Sequence, residues 1–257
     1  MLKLSASSIG TYDKCNKKYY YTYINKPDIV KPDWSHLEAG KFCHRVLELL
    51  HLHLMSNVVP QTEYSKLMSK FFAEASKEFN KDILRPDLPE IKKMLSDYLK
   101  VLKRDGLPEV IGVEIAFKFE IEDFVVKGFI DRIDRIGPGE YRIVDYKTSK
   151  NPKYLDSFQL LLYAIAVKEL YADAQKIWGS YVLLKHESTT KDWEFTQKDI
   201  DKAIKTILDT GGKIKADQLW KKKPTRLCDW CDFKSICLDK WTENDFWSED
   251  ATQTPGD

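Results

Sequence analysis

The sequence lacks several features that would each assign the chain to a particular class of protein. It contains no apolar run long enough to span a membrane, and its N-terminus, MLKLSASSIG, lacks the apolar core of a secretory signal. It also contains no G-x4-G-K-[ST] stretch, so we expect no nucleotide hydrolysis of the P-loop kind. Together these absences predict a cytosolic, cytoplasmic protein with no membrane partner.

The number of cysteines and the net charge of the chain are also low. In a reducing compartment, five cysteines among 257 residues indicate metal ligation or free thiols rather than disulfides. The formal net charge is +1, but residues 243–257 contain five acidic and no basic residues, so the rest of the chain carries +6. A mildly basic body suits a polyanionic partner. We expect 243–257 to be a disordered tail, with a docking peptide or a nucleic-acid mimic as alternatives.

The order of predicted elements indicates an α/β fold. A mixed sheet flanked by extra helices accounts for that order, and 257 residues suffice for one large core with a smaller lobe. The periodicity predicts the following elements in chain order: a helix over 5–24, a helix over 37–55, two amphipathic helices over 62–104, a strand over 110–121, a hairpin over 127–150, an apolar helix over 154–171, a strand over 176–184 and a helix over 195–214.

The hairpin, KGFIDRIDRIGPGEYRIVDYKTSK, is the stretch that carries candidate chemistry. Its two runs are rich in β-branched and aromatic residues and are separated by Gly-Pro-Gly, a turn signal. Because residues two apart in a strand share a face, Asp145 and Lys147 should project together, within reach of Asp131 on the neighbouring strand. Two converging carboxylates favour a bound Mg²⁺ or Mn²⁺, whereas the alternative is a solvated face with surface ion pairs.

A lysine beside such a metal has a recognisable use in hydrolysis of a phosphodiester. Lys147 could orient or help deprotonate an attacking water, or neutralise charge that builds up on the phosphate. His44 lies on the predicted helix 37–55 with Glu48 on the same face, four residues later. A single histidine on a helix is more often packed or solvated than a ligand, so its role depends on its neighbours in the fold.

The second informative stretch, KKKPTRLCDWCDFKSICLDKW, contains Cys228, Cys231 and Cys237 with the spacing C-x2-C-x5-C. Such dense thiol spacing predicts a metal site, and Cys15 is the candidate fourth ligand, because Cys43 lies beside His44. Ligation by these four residues would join the first helix to the C-terminal lobe. Chance proximity of the three cysteines is the alternative. The tyrosines between Lys17 and Tyr23 could either stack on nucleic-acid bases or pack on the core.

These motifs together resemble the RecB-like branch of the PD-(D/E)XK nucleases, and within it the iron–sulfur exonucleases that include CRISPR-associated and AddB-type enzymes. The likeness runs from the first cysteine to the last. Its parts, in order, are Cys15, GKFCHRVLE, a strand glutamate, GFIDRID, VDYKT, QLLLY and C-x2-C-x5-C. The acid before the lysine is Asp where many relatives have Glu, and the literal Pro-Asp of the superfamily name is absent.

The resemblance implies a role for each matching residue. The metal ligands would be His44, Asp131, Asp145 and the backbone carbonyl of Tyr146, with Lys147 as the catalytic lysine and Glu114 contacting a metal through water. Gln159 and Tyr163 match a QxxxY motif that positions the DNA and the site. The ligands of a 4Fe-4S cluster, with zinc as the alternative, would be Cys15, Cys228, Cys231 and Cys237.

The implied fold and function follow from the same resemblance. We expect a restriction-endonuclease-like core with a helical insertion and a Cys-rich C-terminal lobe. Residues 1–242 would form one nuclease domain, with an N-terminal helix and loop (1–35), the insertion and core (36–214) and the lobe (215–242). The expected activity is metal-dependent DNA exonuclease, on single-stranded ends, with a helicase or recombination partner. The alternative is an inactive DNA-binding or scaffolding subunit that keeps the fold.

Overall fold

A mixed six-stranded sheet forms the centre of the fold. The structure is a computed structural model that describes residues 1–30 and 35–238, so the expected tail, 243–257, and the end of the expected lobe lie outside it. The strand order is β1-β3-β4-β5-β6, and β2 pairs with β3. The β1–β3 and β4–β5 pairs are parallel and the others antiparallel. The strands are β1 (Leu2–Leu4), β2 (Glu109–Ile121), β3 (Phe124–Gly137), β4 (Glu140–Lys147), β5 (Lys176–Leu183) and β6 (Thr189–Phe195).

Helices cover both faces of this sheet. The α-helices are α1 (Ala6–Lys14), α2 (Asn16–Tyr19), α3 (Ser35–Ser56), α4 (Tyr64–Ala75), α5 (Lys81–Leu84), α6 (Leu88–Asp105), α7 (Phe158–Leu170), α8 (Gln197–Ala216) and α9 (Lys234–Leu238). α1, α7 and α8 pack on one face, where Ile9, Leu160 and Ile207 meet Ile130 and Ile143 of the sheet. None of the helices in the described residues is long and apolar enough to cross a membrane.

The expected helical insertion forms the layer on the other face. Side chains of α3, α4 and α6 make a second core with Val144 and Tyr146 of β4 and Val182 of β5. Each helix is amphipathic, so its apolar stripe is buried against the sheet and its charged stripe faces water. The predicted α/β class with a mixed sheet and flanking helices is confirmed.

Two predictions about local structure were wrong. The sequence suggested no strand at Leu2–Leu4 or Thr189–Phe195, although both pair with the sheet. Leu2–Leu4 is too short to show an alternation of apolar and polar residues. In Thr189–Phe195, TTKDWEF, most side chains are exposed, as they can be in an edge strand. The predicted helix over 5–24 is also interrupted, because Cys15 is extended (φ −164°, ψ 113°) and its Sγ caps α2 through the backbone N–H of Lys18, at 3.5 Å.

The segment after α8 packs back onto the N-terminal helices. Trp220 stacks on Tyr19, with 5.8 Å between ring centroids, and Tyr21 contacts Phe233 at 5.2 Å. The carboxylate of Asp217 accepts hydrogen bonds from Tyr12, at 2.9 Å, and from Asn16. Of the two alternatives for the tyrosines near Lys17, packing therefore describes Tyr19 and Tyr21. These contacts bring the C-terminal cysteines to the same place as Cys15.

Candidate metal centre and active site

Three side chains from three different elements converge where α3 crosses the sheet. One ligand atom each from His44 (α3), Glu114 (β2) and Asp131 (β3) lie within 4.8 Å of one another. A nitrogen and two carboxylate oxygens at this spacing form a donor set that suits a divalent cation such as Mn²⁺ or Mg²⁺. The convergence brings together two of the predicted ligands and the strand glutamate that the sequence singled out.

Close approach of α3 to the sheet positions His44. A Cβ atom on Gly40, one turn before the histidine, would lie 2.9 Å from Oγ1 of Thr148, so only glycine fits without a shift. Nδ1 of His44 then lies 3.3 Å from Oδ2 of Asp131, and its ring meets the ring of Tyr146 edge-on at 5.8 Å. Burial lowers the pKa of His44, but the hydrogen bond and charge of Asp131 outweigh it, so the pKa lies above its ordinary value.

Glu114 takes a backbone conformation that its strand neighbours do not share. Its φ is +49°, in the left-handed region that side chains other than glycine rarely adopt. On the adjacent strand the alternation also breaks beside Asp131: Ile130 and Ile133 both face the α7 core, while Arg132 reaches the opposite face. Such strain costs on the order of 1–3 kcal/mol and is typical of functional sites. The left-handed backbone conformation places the Glu114 carboxylate beside Asp131.

Asp145 and Lys147 project to the same face of β4, as the alternation predicted. Oδ2 of Asp145 lies 2.6 Å from Nζ of Lys147, and both side chains are held by Gln159. Oε1 of Gln159 accepts a hydrogen bond from Nζ of Lys147 at 2.9 Å. Nε2 of the same amide donates to Oδ1 of Asp145 at 2.8 Å and to the hydroxyl of Tyr163 at 2.6 Å. The QxxxY pair on α7 therefore fixes the lysine and the acid relative to each other.

The ionised forms of two carboxyl groups at this site, Glu114 and Asp145, are disfavoured by burial and by neighbouring negative charge. Burial, with the charge of Asp131, raises the pKa of Glu114 to about 7 and that of Asp145 to about 6. Oδ2 of Asp145 is paired with the ammonium of Lys147. A cluster of acids with raised pKa values is what a cation would stabilise. The residues present therefore fit a divalent metal.

Tyr146 joins the candidate metal centre to the second core. Its backbone N–H donates to Oδ2 of Asp131 at 2.8 Å, which fixes the ligand carboxylate. Its hydroxyl accepts from Nη1 of Arg132 at 2.8 Å, and the same Nη1 donates to the hydroxyl of Tyr98 at 2.7 Å. The predicted role of the Tyr146 carbonyl as a ligand stays a prediction.

The buried Arg132 was missed by the sequence reasoning. Its guanidinium is bridged to Asp134, with Nε 2.8 Å from Oδ1, and lies 3.1 Å from Nε2 of His51 on α3. Burial and the charge of Arg132 hold the pKa of His51 well below its ordinary value, so this histidine is neutral. Arg132 therefore links β3, α3, α6 and β4 beneath the site. An arginine between two aspartates in GFIDRID was the available signal, but surface and buried arginines look alike in a strand.

The four predicted cluster cysteines line one cavity of about 90 Å³. Cys15 comes from the break between α1 and α2, and the other three come from the segment around Trp230. All four cysteines are half-buried, whereas Cys43 is buried in the second core. Four thiols in one cavity fit a thiolate-bound metal group, in agreement with the spacing argument.

The comparisons with known proteins agree with this fold. The family model described as the PD-(D/E)XK nuclease superfamily matches residues 3–238. The chain belongs to this superfamily of nucleases, whose members use divalent metals, and its fold is the restriction-endonuclease-like one.

Two curated proteins and one solved structure are similar to the chain. It is 29% identical over 227 residues to an ATP-dependent helicase/deoxyribonuclease subunit of Streptococcus pyogenes serotype M1, covering 79% of this chain and 20% of that protein. The corresponding protein of serotype M49, strain NZ131, gives the same figures. The chain thus spans about one fifth of the length of these curated relatives. A crystal structure of an exonuclease candidate from Eubacterium rectale shares the fold, with TM-score 0.50, 14% identity, and coverage of 89% of this chain and 86% of that one.

Proposed function

We propose that the protein is a metal-dependent DNA exonuclease that acts on single-stranded ends. The observation that carries this proposal is the convergence of His44, Glu114 and Asp131 at a position where Asp145 and Lys147 are already paired. The names of the relatives, a helicase/deoxyribonuclease subunit and an exonuclease candidate, support DNA as the substrate and end-directed cleavage as the reaction.

Residues of this chain have separable roles in the proposed reaction. His44, Asp131 and Asp145, with Glu114 directly or through water, would hold Mg²⁺ or Mn²⁺, and the imidazole favours Mn²⁺ as an activator. When bound, such a cation lowers the pKa of water and polarises a phosphoryl oxygen. Lys147, held by Gln159, presents an ammonium group that neutralises charge developing on the phosphate or orients the attacking water.

The cysteine cavity is proposed to hold a 4Fe-4S cluster. Tetrahedral zinc requires ligand sulfurs about 3.8 Å apart. Over residues 1–30 and 35–238, no three cysteine sulfurs come within 4.8 Å of one another, a wider spacing than tetrahedral zinc requires. Because the segment carrying these cysteines packs on α1 and α2, the cluster would hold it against the nuclease core. Its role is then structural.

A non-catalytic DNA-binding or scaffolding subunit is the alternative. It predicts a decayed site, whereas the chain keeps the acids and the lysine, with Lys147 paired to Asp145. We further propose a helicase or recombination partner, because the similar S. pyogenes protein is named as a helicase/deoxyribonuclease subunit. Pulldown of a helicase by the tagged chain would support this, and a chain that degrades DNA alone without capturing one would contradict it.

The activity is tested with anaerobically purified protein and end-labelled DNA. Single-stranded, duplex and covalently circular substrates are incubated with Mg²⁺, Mn²⁺ or EDTA, beside Lys147→Ala and the control Lys205→Ala on an exposed face of α8. We expect linear single strands to be degraded only with metal, circles to survive, and Lys147→Ala to lose about 10²–10³-fold in rate. DNA that is bound but never cut would favour the scaffolding alternative, and cut circles would contradict an exonuclease.

A further inference from the structure

Two clefts meet at Lys147. One, of about 470 Å³, opens beside α3 and includes His44 and Glu114 in its lining. The other, of about 670 Å³, lies between α1, α7 and β3, and apart from Lys147, Gln159 and Tyr163 its lining residues have no role in the proposed chemistry. Lys147 belongs to the lining of both clefts, so the larger cleft shares a wall residue with the candidate metal centre. We call this larger space the α1 cleft.

The α1 cleft lies at a gap in the sheet. On one edge, β3 pairs with β1 through residues 124–126 and with β4 through 132–137. Among the described strands, none pairs with residues 127–131 on that edge, although β2 pairs with residues 127–130 on the other. Lys127, Gly128 and Phe129 therefore line the α1 cleft from an open strand edge that ends at the ligand Asp131.

The charge of the α1 cleft is positive and largely unneutralised. Four lysines line it, namely Lys14, Lys18, Lys127 and Lys147, against the single acid Asp156. Asp156 accepts from the backbone N–H of Phe158 at 2.9 Å, at the start of α7. Over the described residues, the three lysines other than Lys147 form no ion pair with an acid. Ammonium groups that face a cleft without carboxylate partners favour a polyanionic ligand.

One aromatic side chain in the α1 cleft is free to stack. Phe129 is 60% exposed although it sits in the middle of a strand, whereas Phe117 and Tyr163 beside it are buried. An exposed aromatic ring among unpaired lysines is the combination that binds single-stranded nucleic acid, because unpaired bases offer their faces to the ring. Bases in a duplex are already stacked on one another and would gain little from Phe129.

We infer that the α1 cleft binds a single strand of DNA, with a base stacked on Phe129 and phosphates held by Lys14 and Lys127 on the path to Lys147. The choice of DNA rests on the proposed function. The single-strand preference rests on the open edge of β3, the exposed ring and the unpaired lysines. A strand held there would present its next phosphate at the point where the two clefts meet.

Binding without cleavage tests this inference. The anisotropy of labelled oligothymidylate is measured in EDTA for the wild type, Phe129→Ala, Phe129→Trp, Lys127→Ala and the control Lys205→Ala. We expect Phe129→Ala to weaken binding about tenfold or more with an unchanged salt dependence, and Phe129→Trp to keep the affinity. Lys127→Ala should lower the slope of log K against log salt by about 0.7, the value for one phosphate contact, and Lys205→Ala should change nothing.

The outcomes separate this inference from the proposed function. If Phe129→Ala and Lys127→Ala bind like the wild type, or if duplex DNA or RNA binds as tightly as the single strand, the inference is overturned while metal-dependent cleavage can still stand. A wild type that does not bind the oligonucleotide overturns it as well. If binding depends on Phe129 and Lys127 but no metal produces cleavage, the α1 cleft is a binding site and the nuclease proposal fails alone.

Discussion

The candidate metal centre and the cysteine cavity are held in place by different means. The candidate metal centre lies between two large cores, and the three side chains that converge there come from β2, β3 and α3, each anchored by buried side chains. The cysteine cavity is enclosed by short helices and a long loop, and among the described side chains of residues 217–237 only Phe233 is a buried hydrophobic one. We therefore expect the first site to be formed before a metal binds, and the second to depend on the proposed cluster for its order.

The largest effect that separates the two regions should come from Cys231→Ser. We expect loss of iron absorbance and of amide protection over residues 217–238, while β3 and β4 remain protected, because the cores do not involve this segment. Hydrogen exchange with mass spectrometry measures both regions in one experiment. Cys43→Ala, which removes a buried thiol outside the cavity, should keep the colour. A colourless Cys231→Ser protein with unchanged protection would contradict a structural role for the cluster.

The next largest effect should come from the buried ion pair beneath the metal centre. Arg132→Met leaves the fully buried Asp134 without its charge partner, and losses of this kind cost about 3–5 kcal/mol. Denaturant unfolding measures the loss, and removing both charges in Arg132→Met/Asp134→Leu should restore most of it. Arg104→Met, which breaks an exposed pair with Asp105, is the control and should unfold like the wild type. Equal free energies of unfolding for Arg132→Met and Arg104→Met would contradict the proposed role of Arg132.

Metal binding should stabilise the protein more at high pH than at low pH. Folding raises the pKa of Glu114 to about 7 and of Asp145 to about 6, so the native metal-free protein binds more protons than the unfolded chain between about pH 4 and pH 7. The carboxylates therefore make that protein less stable as pH rises through this window, and the raised pKa of His44 acts in the same direction.

When the acids are ionised, a divalent cation bound between them removes the repulsion between their negative charges. Saturating Mn²⁺, at about 100 times its Kd, should add about 2.7 kcal/mol at pH 8 and much less at pH 5, where protons compete for the same oxygens. Thermal unfolding with Mn²⁺ or EDTA measures the difference, and Glu114→Gln should flatten its pH dependence. An equal gain at both pH values would show that the cation binds elsewhere.

The smallest effect should come from a pair of helix glycines. Gly212→Ala on α8 meets nothing within 4 Å and should stabilise the protein by up to about 1 kcal/mol, the ordinary helix preference for alanine. Gly40→Ala should lose this gain, because the new methyl meets Oγ1 of Thr148, and should weaken Mn²⁺ binding by displacing α3. Titration calorimetry would measure the binding, and Gly40→Ala/Thr148→Ala should restore it. If Gly40→Ala and Gly212→Ala have the same stability and the same Mn²⁺ affinity, Gly40 has no role in positioning the site.

The sequence predicted the parts of the fold that depend on local pattern. The hairpin around Gly137–Gly139, the shared face of Asp145 and Lys147, and the Gln159–Tyr163 spacing follow from strand and helix periodicity and were found as expected. The break at Cys15 was not predictable, because it depends on contacts with Trp220 and Asp217 from the other end of the chain.

The geometry of the metal centre was predictable only in outline. The donor types were readable, since acids and a histidine in these motifs were singled out. The left-handed backbone of Glu114 and the interrupted alternation at Asp131 were not, because periodicity assumes regular strands. The burial of Arg132 also depends on α3 and α6 covering that face of the sheet. Long-range packing, rather than local preference, completes the site.

The most direct test of the account is Mn²⁺ binding and DNA degradation measured on the same samples. Electron paramagnetic resonance counts bound Mn²⁺, and spin-echo modulation detects the imidazole nitrogen of His44. The account predicts that Asp131→Asn loses both binding and cleavage, that His44→Gln loses the nitrogen signal, and that Lys147→Ala keeps Mn²⁺ but does not cut. Normal Mn²⁺ binding and cleavage in Asp131→Asn would contradict the proposed metal centre.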